Sequence, residues 1–222
     1  MSAGFGSQVA AVVGRDLRRE RRRGDVFWIT IPFGAMALLL VPLAVGTDAV
    51  LLQRIGPGVF WVTVMLFGVL VSVGRASMET LPQRDAVSLL GLDPAAGYVG
   101  RSTSAAGMLL VYEVVVGAVA VVLYDIDLVG TPWLAVTLVL VAVGLGLLGS
   151  LAAALVDSAS AGTALVPFLV APLSVPLLLG ATQAQEGLRL GHSILPWMLV
   201  MAAVVLVAAV VGVVTARPLQ ET

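Results

Sequence analysis

LVGTPWLAVTLVLVAVGLGLLGSLAAALV, residues 128–156, runs from Asp127 to Asp157 without a charged side chain. A bilayer core about 30 Å thick needs about 20 apolar residues of helix to cross it, so this stretch is long enough to span. Four more charge-free runs lie between Asp25 and Asp48, Arg54 and Arg75, Asp157 and Glu186, and Arg189 and Arg217. Of 222 residues, 59% are hydrophobic and 11% charged, where a soluble domain carries about 25% charged residues. Too little polar surface remains to cover a water-facing globule. In lipid the backbone must satisfy its own hydrogen bonds, so these runs are expected to be helices. The expected fold is an all-α membrane protein, one domain over residues 1–222, with six transmembrane helices near 27–46, 56–74, 103–124, 131–155, 162–184 and 194–215. Arg18-Arg19 ahead of the first run resembles an export signal, but the run is long enough to span and five more follow, so it is expected to be retained.

The flanks carry the charge. Residues 1–26 form a basic segment in which Phe5, Val9, Val12, Val13 and Leu17 share one helical face and Arg15, Arg18, Arg19 and Arg22 another. This pattern predicts an amphipathic helix at the membrane interface; a basic tail that only sets topology is the plainer reading. Nucleic acid is not an expected partner, since arginines beside a first span serve orientation. The longest loop, 75–102, holds Arg75, Arg84 and Arg101 and a short amphipathic stretch over 86–92 closed by Asp93-Pro94. With six spans both termini share one side, which then holds ten of the twelve arginines; Arg54 and Arg189 lie opposite. The positive-inside rule places the ten in the cytoplasm.

Chemistry-bearing motifs are few. There is no cysteine and no lysine, so thiolate metal sites and a GxxxxGK[ST] phosphate loop are excluded. No metal cluster is expected, and no catalytic residue. His192, in an outer loop beside Pro196 and Trp197, reads as an interfacial polar residue or as a pH-sensitive contact. Gly144, Gly146 and Gly149 match GxGxxG but lie inside an apolar helix with no preceding strand, so they carry no nucleotide. Ala142, Gly146, Ser150 and Ala154 instead form a ridge for close helix packing. Glu113 falls in the middle of the third span, on a face with Ala106, Gly117 and Ala120. An acid at that depth costs about 2.5–3.5 kcal/mol on insertion scales. It is either a pathway or coupling residue or a structural acid hydrogen-bonded within the bundle. Pro167, Pro172 and Pro176 predict a broken or re-entrant fifth span lining a cavity, with a merely bent helix as the alternative.

Three stretches carry a resemblance. Arg54-Ile55-Gly56-Pro57-Gly58-Val59-Phe60-Trp61 matches an Arg-Ile-x-Pro-Gly-x-x-Trp motif, residues 165–178 match a Pro-x-x-x-Pro-Leu fifth span through Pro172 and Pro176, and Arg75, Asp85, Leu89, Leu90 and Arg101 fall in a charged, leucine-containing loop. The chain resembles the heme exporter protein B family (CcmB), the permease subunit of an ATP-binding-cassette system in cytochrome c maturation, over nearly its whole length. The loop departs from the family at Leu81-Pro82 and Gly91. The resemblance implies a type-2 ABC exporter permease in the inner membrane, a homodimer with two ATPase subunits that hold the ATP, and a separate haem-handling membrane protein as a further partner. Arg84, Asp85, Leu89, Leu90 and Leu92 would dock the ATPase. Heme is the candidate cargo, and no cofactor is expected to be resident in this chain. The alternative is an ATPase-driven assembly scaffold that releases a haem-handling partner without carrying haem. An intramembrane lipid-modifying enzyme is disfavoured, because such chemistry needs clustered acids and Glu113 stands alone at mid-membrane.

The topology is testable by single cysteines at Ser7, Asp127, Asp157 and Thr222. Asp127→Cys should react only with reagent on the outer face and the other three only from the cytoplasm; cytoplasmic labelling at position 127 would overturn the arrangement.

Overall fold

In the computed structural model, residues 4–46, 48–76, 93–126, 131–158 and 164–216 are described. Among the described residues seven α-helices follow one another: α1 (Phe5–Arg23), α2 (Ile31–Val45), α3 (Ala49–Ala76), α4 (Pro94–Tyr124), α5 (Thr131–Ser158), α6 (Leu165–Leu190) and α7 (Leu195–Thr215). A wide π turn over Asp25–Thr30 leads into α2. Six helices, α2 with the end of that turn and α3 through α7, are long and apolar enough to cross a membrane. This is an all-α, multi-pass membrane protein.

Gly24 separates α1 from the first span. Its φ of 71° lies in the left-handed region, which favours glycine, and its N–H closes α1 onto the Glu20 carbonyl at 2.6 Å. The third span exceeds its expected bounds: α4 begins at Pro94, not 103, and its 31 residues extend about 46 Å at 1.5 Å per residue. The bilayer core accounts for about 30 Å of that, so the extra turns stand beyond it. Their side chains explain why. Asp93 caps the helix, its Oδ1 accepting from the Ala95 N–H at 3.0 Å, and α1 lies against the first turns. Gln8 Oε1 accepts from the Asp93 N–H at 2.8 Å, Val12 seats on Gly100, and Ser104 Oγ donates to Asp16 Oδ2 at 3.0 Å. Part of the apolar stripe of α1 therefore faces α4, while Phe5 and Leu17 stay exposed, available to lipid.

Two further expectations are corrected. The second span begins at Ala49, so Arg54 lies inside α3 instead of ahead of it. The fifth span is one continuous helix, Leu165–Leu190, neither broken nor re-entrant. Pro167 sits in its first turn, where the missing N–H has no helical partner to lose. Pro172 and Pro176 are four apart, hence on one side of the helix, and that side is exposed, so their rings disturb no neighbour.

At the centre of the bundle is α5, the most enclosed of the spans, whereas α2 is the least. Lipid tails are as apolar as leucine, so helices in a bilayer associate through close packing and hydrogen bonds. The three glycines of the false nucleotide motif supply the packing on three sides. Gly144 meets Leu177 of α6, Gly149 meets Ser72 of α3, and Gly146 meets the backbone of α4. At Gly146 an added Cβ would lie 2.8 Å from the Ser102 carbonyl oxygen and 2.9 Å from the Ala106 nitrogen. Around this contact Leu38, Trp61, Val64, Leu109, Tyr112, Val116, Leu145, Leu177 and Met201 form the main core. Buried hydroxyls on Thr63, Ser72 and Thr137 bond to carbonyls four residues back in their own helices, the local solution open to short polar side chains.

Gly146→Val should lower thermal stability in detergent by about 1–3 kcal/mol, the cost of overpacking, because a backbone neighbour cannot rotate away. Gly58→Ala is the control: nothing lies within 4 Å of its added Cβ, and alanine favours helix by about 1 kcal/mol. Equal melting of Gly146→Val and wild type would contradict the close-approach account.

Candidate functional site

The conspicuous sequence motif resolves into separate packing roles. Within Arg54-Ile55-Gly56-Pro57-Gly58-Val59-Phe60-Trp61, Gly56 admits Tyr124: a Cβ there would come within 2.7 Å of the tyrosine Cβ. Trp61 is 1% exposed and donates from Nε1 to Gln185 Oε1 of α6 at 2.9 Å. A buried indole N–H needs such a partner. Pro57 lies inside α3, half-buried, and Arg54 is exposed. Pro172 and Pro176 belong to the exposed side of α6, so the structure does not bring them together with the buried residues of the motif. Gln185 was not anticipated, although a glutamine in an apolar run beside Glu186 was the available signal. In the first turns of α3, Gln53 Nε2 donates to Asp125 Oδ2 at 2.7 Å, tying α3 to the end of α4.

The proposed docking residues Arg84, Asp85, Leu89, Leu90 and Leu92 lie outside the described residues. The structure does define the loop's exit at Asp93 and its seat on Gln8 of α1. Neither Gln8 nor Tyr98 stood out in the sequence. Tyr98 is buried five residues past Asp93, and its hydroxyl lies within hydrogen-bonding distance of the carbonyls of Leu147 in α5, 3.2 Å, and Ala208 in α7, 3.1 Å.

Glu113 occupies the middle of α4 and is 0% exposed. Of its same-face neighbours, Ala106 packs on Gly146 of α5 and Gly117 on Phe60 of α3. Neither carboxyl oxygen has a hydrogen-bond partner. Full enclosure also means that in this conformation Glu113 lines no open passage and touches neither lipid nor a neighbouring subunit. Leaving a buried polar group unpaired costs about 1–3 kcal/mol. Packing alone gives no reason to carry that cost, since an apolar side chain of similar size would fill the same space. Among the described residues no group of three or more His, Cys, Asp or Glu converges on a metal-sized site. His192 is exposed beyond the end of α6.

The sequence family described as CcmB protein matches residues 7–219. Among similar proteins, the Heme exporter protein B of Paracoccus denitrificans is 32% identical over 182 residues, covering 80% of this chain and 82% of that protein. That of Bradyrhizobium diazoefficiens is 29% identical over 195 residues, 82% and 83% of the two chains. That of Haemophilus influenzae is 28% identical over 210 residues, 93% and 92%.

Glu113→Leu should raise thermal stability, because replacing an unpaired buried polar group by an apolar one of similar size removes a penalty of about 1–3 kcal/mol. Glu113→Gln keeps the shape and removes the acid, and should cut activity per assembled complex while assembly is retained. Full activity in both variants would exclude an essential role for the carboxyl.

Proposed function

The chain belongs to the CcmB protein family, and on that premise we propose that it is the permease subunit of an ATP-driven export complex of the heme-export and cytochrome c maturation type. The observation that carries the reading is the family match over residues 7–219 on a chain whose six long apolar helices make a membrane domain. Relatives 29% and 32% identical over the aligned residues are named Heme exporter protein B. Heme is the proposed cargo, ATP is hydrolysed by a partner subunit, and this chain carries no enzymatic step. Two copies of the chain with two ATPase subunits form the complex, together with a haem-handling membrane protein. It resides in the cytoplasmic membrane with both termini in the cytoplasm, as the arginine distribution favours.

Mechanically, the 77–92 segment is where such an ATPase docks, through Leu89, Leu90 and Leu92, with Arg84 and Asp85 setting orientation. Its exit at Asp93 is fixed to α1 through Gln8 and continues directly into α4. A movement of the loop is thus delivered to the helix that holds Glu113. In this scheme Glu113 is the coupling group: enclosed and unpaired here, it gains a partner or contact with water when the bundle changes shape.

Leu89→Asp combined with Leu90→Asp should abolish copurification of the ATPase while the protein still inserts, since a few packed residues dominate an interface. ATPase copurification at wild-type level would move docking off this loop. Wild-type protein that recovers no ATPase at all, expressed with its genomic neighbours, would refute the permease reading.

A further inference from the structure

The chain has three tyrosines, all on α4, and each rests on a glycine of another helix: Tyr98 on Gly212 of α7, Tyr112 on Gly34 of α2, Tyr124 on Gly56 of α3. Their hydroxyls differ. Tyr124 donates to one carbonyl, Leu38 of α2, at 2.7 Å. Tyr112 Oη has no partner. Tyr98 faces two carbonyls, Leu147 of α5 at 3.2 Å and Ala208 of α7 at 3.1 Å.

A phenol has one hydrogen, so it can donate fully to only one of two acceptors. The two distances are nearly equal, and the acceptors belong to different helices. A small shift of α4 relative to α5 and α7 would favour one bond over the other. The slot is shaped for the ring: a Cβ on Gly212 would collide with the Tyr98 ring, and Tyr98 is 2% exposed. The lever is short. Asp93, which caps α4 and is bonded to Gln8, lies five residues before Tyr98, about 7.5 Å along the helix.

We propose that Tyr98 is a positioning residue of the transport cycle: its hydroxyl, poised between the Leu147 and Ala208 carbonyls, transmits movement of the cytoplasmic loop from α4 into α5 and α7. This rests on the ATP-driven reading above and adds the residue through which the stroke enters the bundle. Tyr112 and Tyr124 do not share the role, the first lacking any acceptor and the second having one.

The experiment uses the whole complex in vesicles and measures ATP hydrolysed and cargo exported, or c-type cytochrome matured, in the same preparation. Tyr98→Phe keeps the ring in its slot, and both carbonyls lie in helix interiors where they retain their helical donors, so the chain folds. ATPase copurification and hydrolysis should stay near wild type, while product per ATP falls about fivefold, equivalent to about 1 kcal/mol and to one neutral hydrogen bond. Tyr124→Phe should leave that ratio unchanged. A role confined to stability would lower the melting temperature or the yield of complex and leave product per ATP untouched; that result overturns the proposal. Replacing Tyr98 by 3-fluorotyrosine, a stronger donor of nearly the same shape, covers the case in which Tyr98→Phe accumulates poorly: the ratio should again change, and an unchanged ratio overturns the assignment. A wild-type chain that binds no ATPase refutes the permease reading itself, whereas a coupled wild type with an unaltered Tyr98→Phe ratio refutes only the role of Tyr98.

Discussion

A close backbone approach, where Gly146 of α5 lies against Ser102 and Ala106 of α4, sets the geometry on which the rest of the bundle depends. Water drives no burial between helices inside a bilayer, so affinity between them comes from how near two backbones can come and which polar groups can meet. A single missing side chain lets α4 and α5 pack, and the neighbouring glycines of α5 seat α6 and α3. The same residues spaced as a nucleotide-binding fingerprint are here three contacts with three helices.

Once that packing is fixed, cross-helix hydrogen bonds become affordable only where geometry is complete. Trp61 to Gln185, Tyr124 to Leu38 and Tyr98 to Leu147 and Ala208 are of this kind. They place polar contacts near both ends of α4 and between α3 and α6. Glu113, in the same helix, is enclosed with neither oxygen paired, and the buried hydroxyls of Tyr112 and Ser102 also lack partners. A helix held at its ends and unsatisfied at its centre is well placed to respond to a push from one end. The push would come from the loop leaving α3, whose far side is anchored at Asp93 and braced by α1 through Gln8.

The prolines show where local sequence logic misleads. Three in ten residues suggested a broken fifth span, yet α6 is continuous. Pro167 falls in the first turn; Pro172 and Pro176 are exposed, and each leaves the carbonyl four residues back without its helical N–H, a loss the helix carries without breaking. The Arg54–Trp61 motif, read as the entry to the second span, lies wholly within α3, and its Gly56, Phe60 and Trp61 pack against α4 and α6.

The all-α class, the six spans and the basic N-terminal helix were legible in the sequence. Each follows from a one-dimensional rule: an apolar run of sufficient length in lipid can satisfy its backbone only as a helix. Which helices meet, and through what, was not legible. Trp61 and Gln185 are 124 residues apart, Tyr98 and Ala208 110, Tyr124 and Leu38 86, and no periodicity within one helix encodes such pairs. The sequence could mark Glu113 as costly, but only the tertiary structure could show it fully enclosed and unpaired, because enclosure is a property of the helices packed around it and not of the helix that carries it.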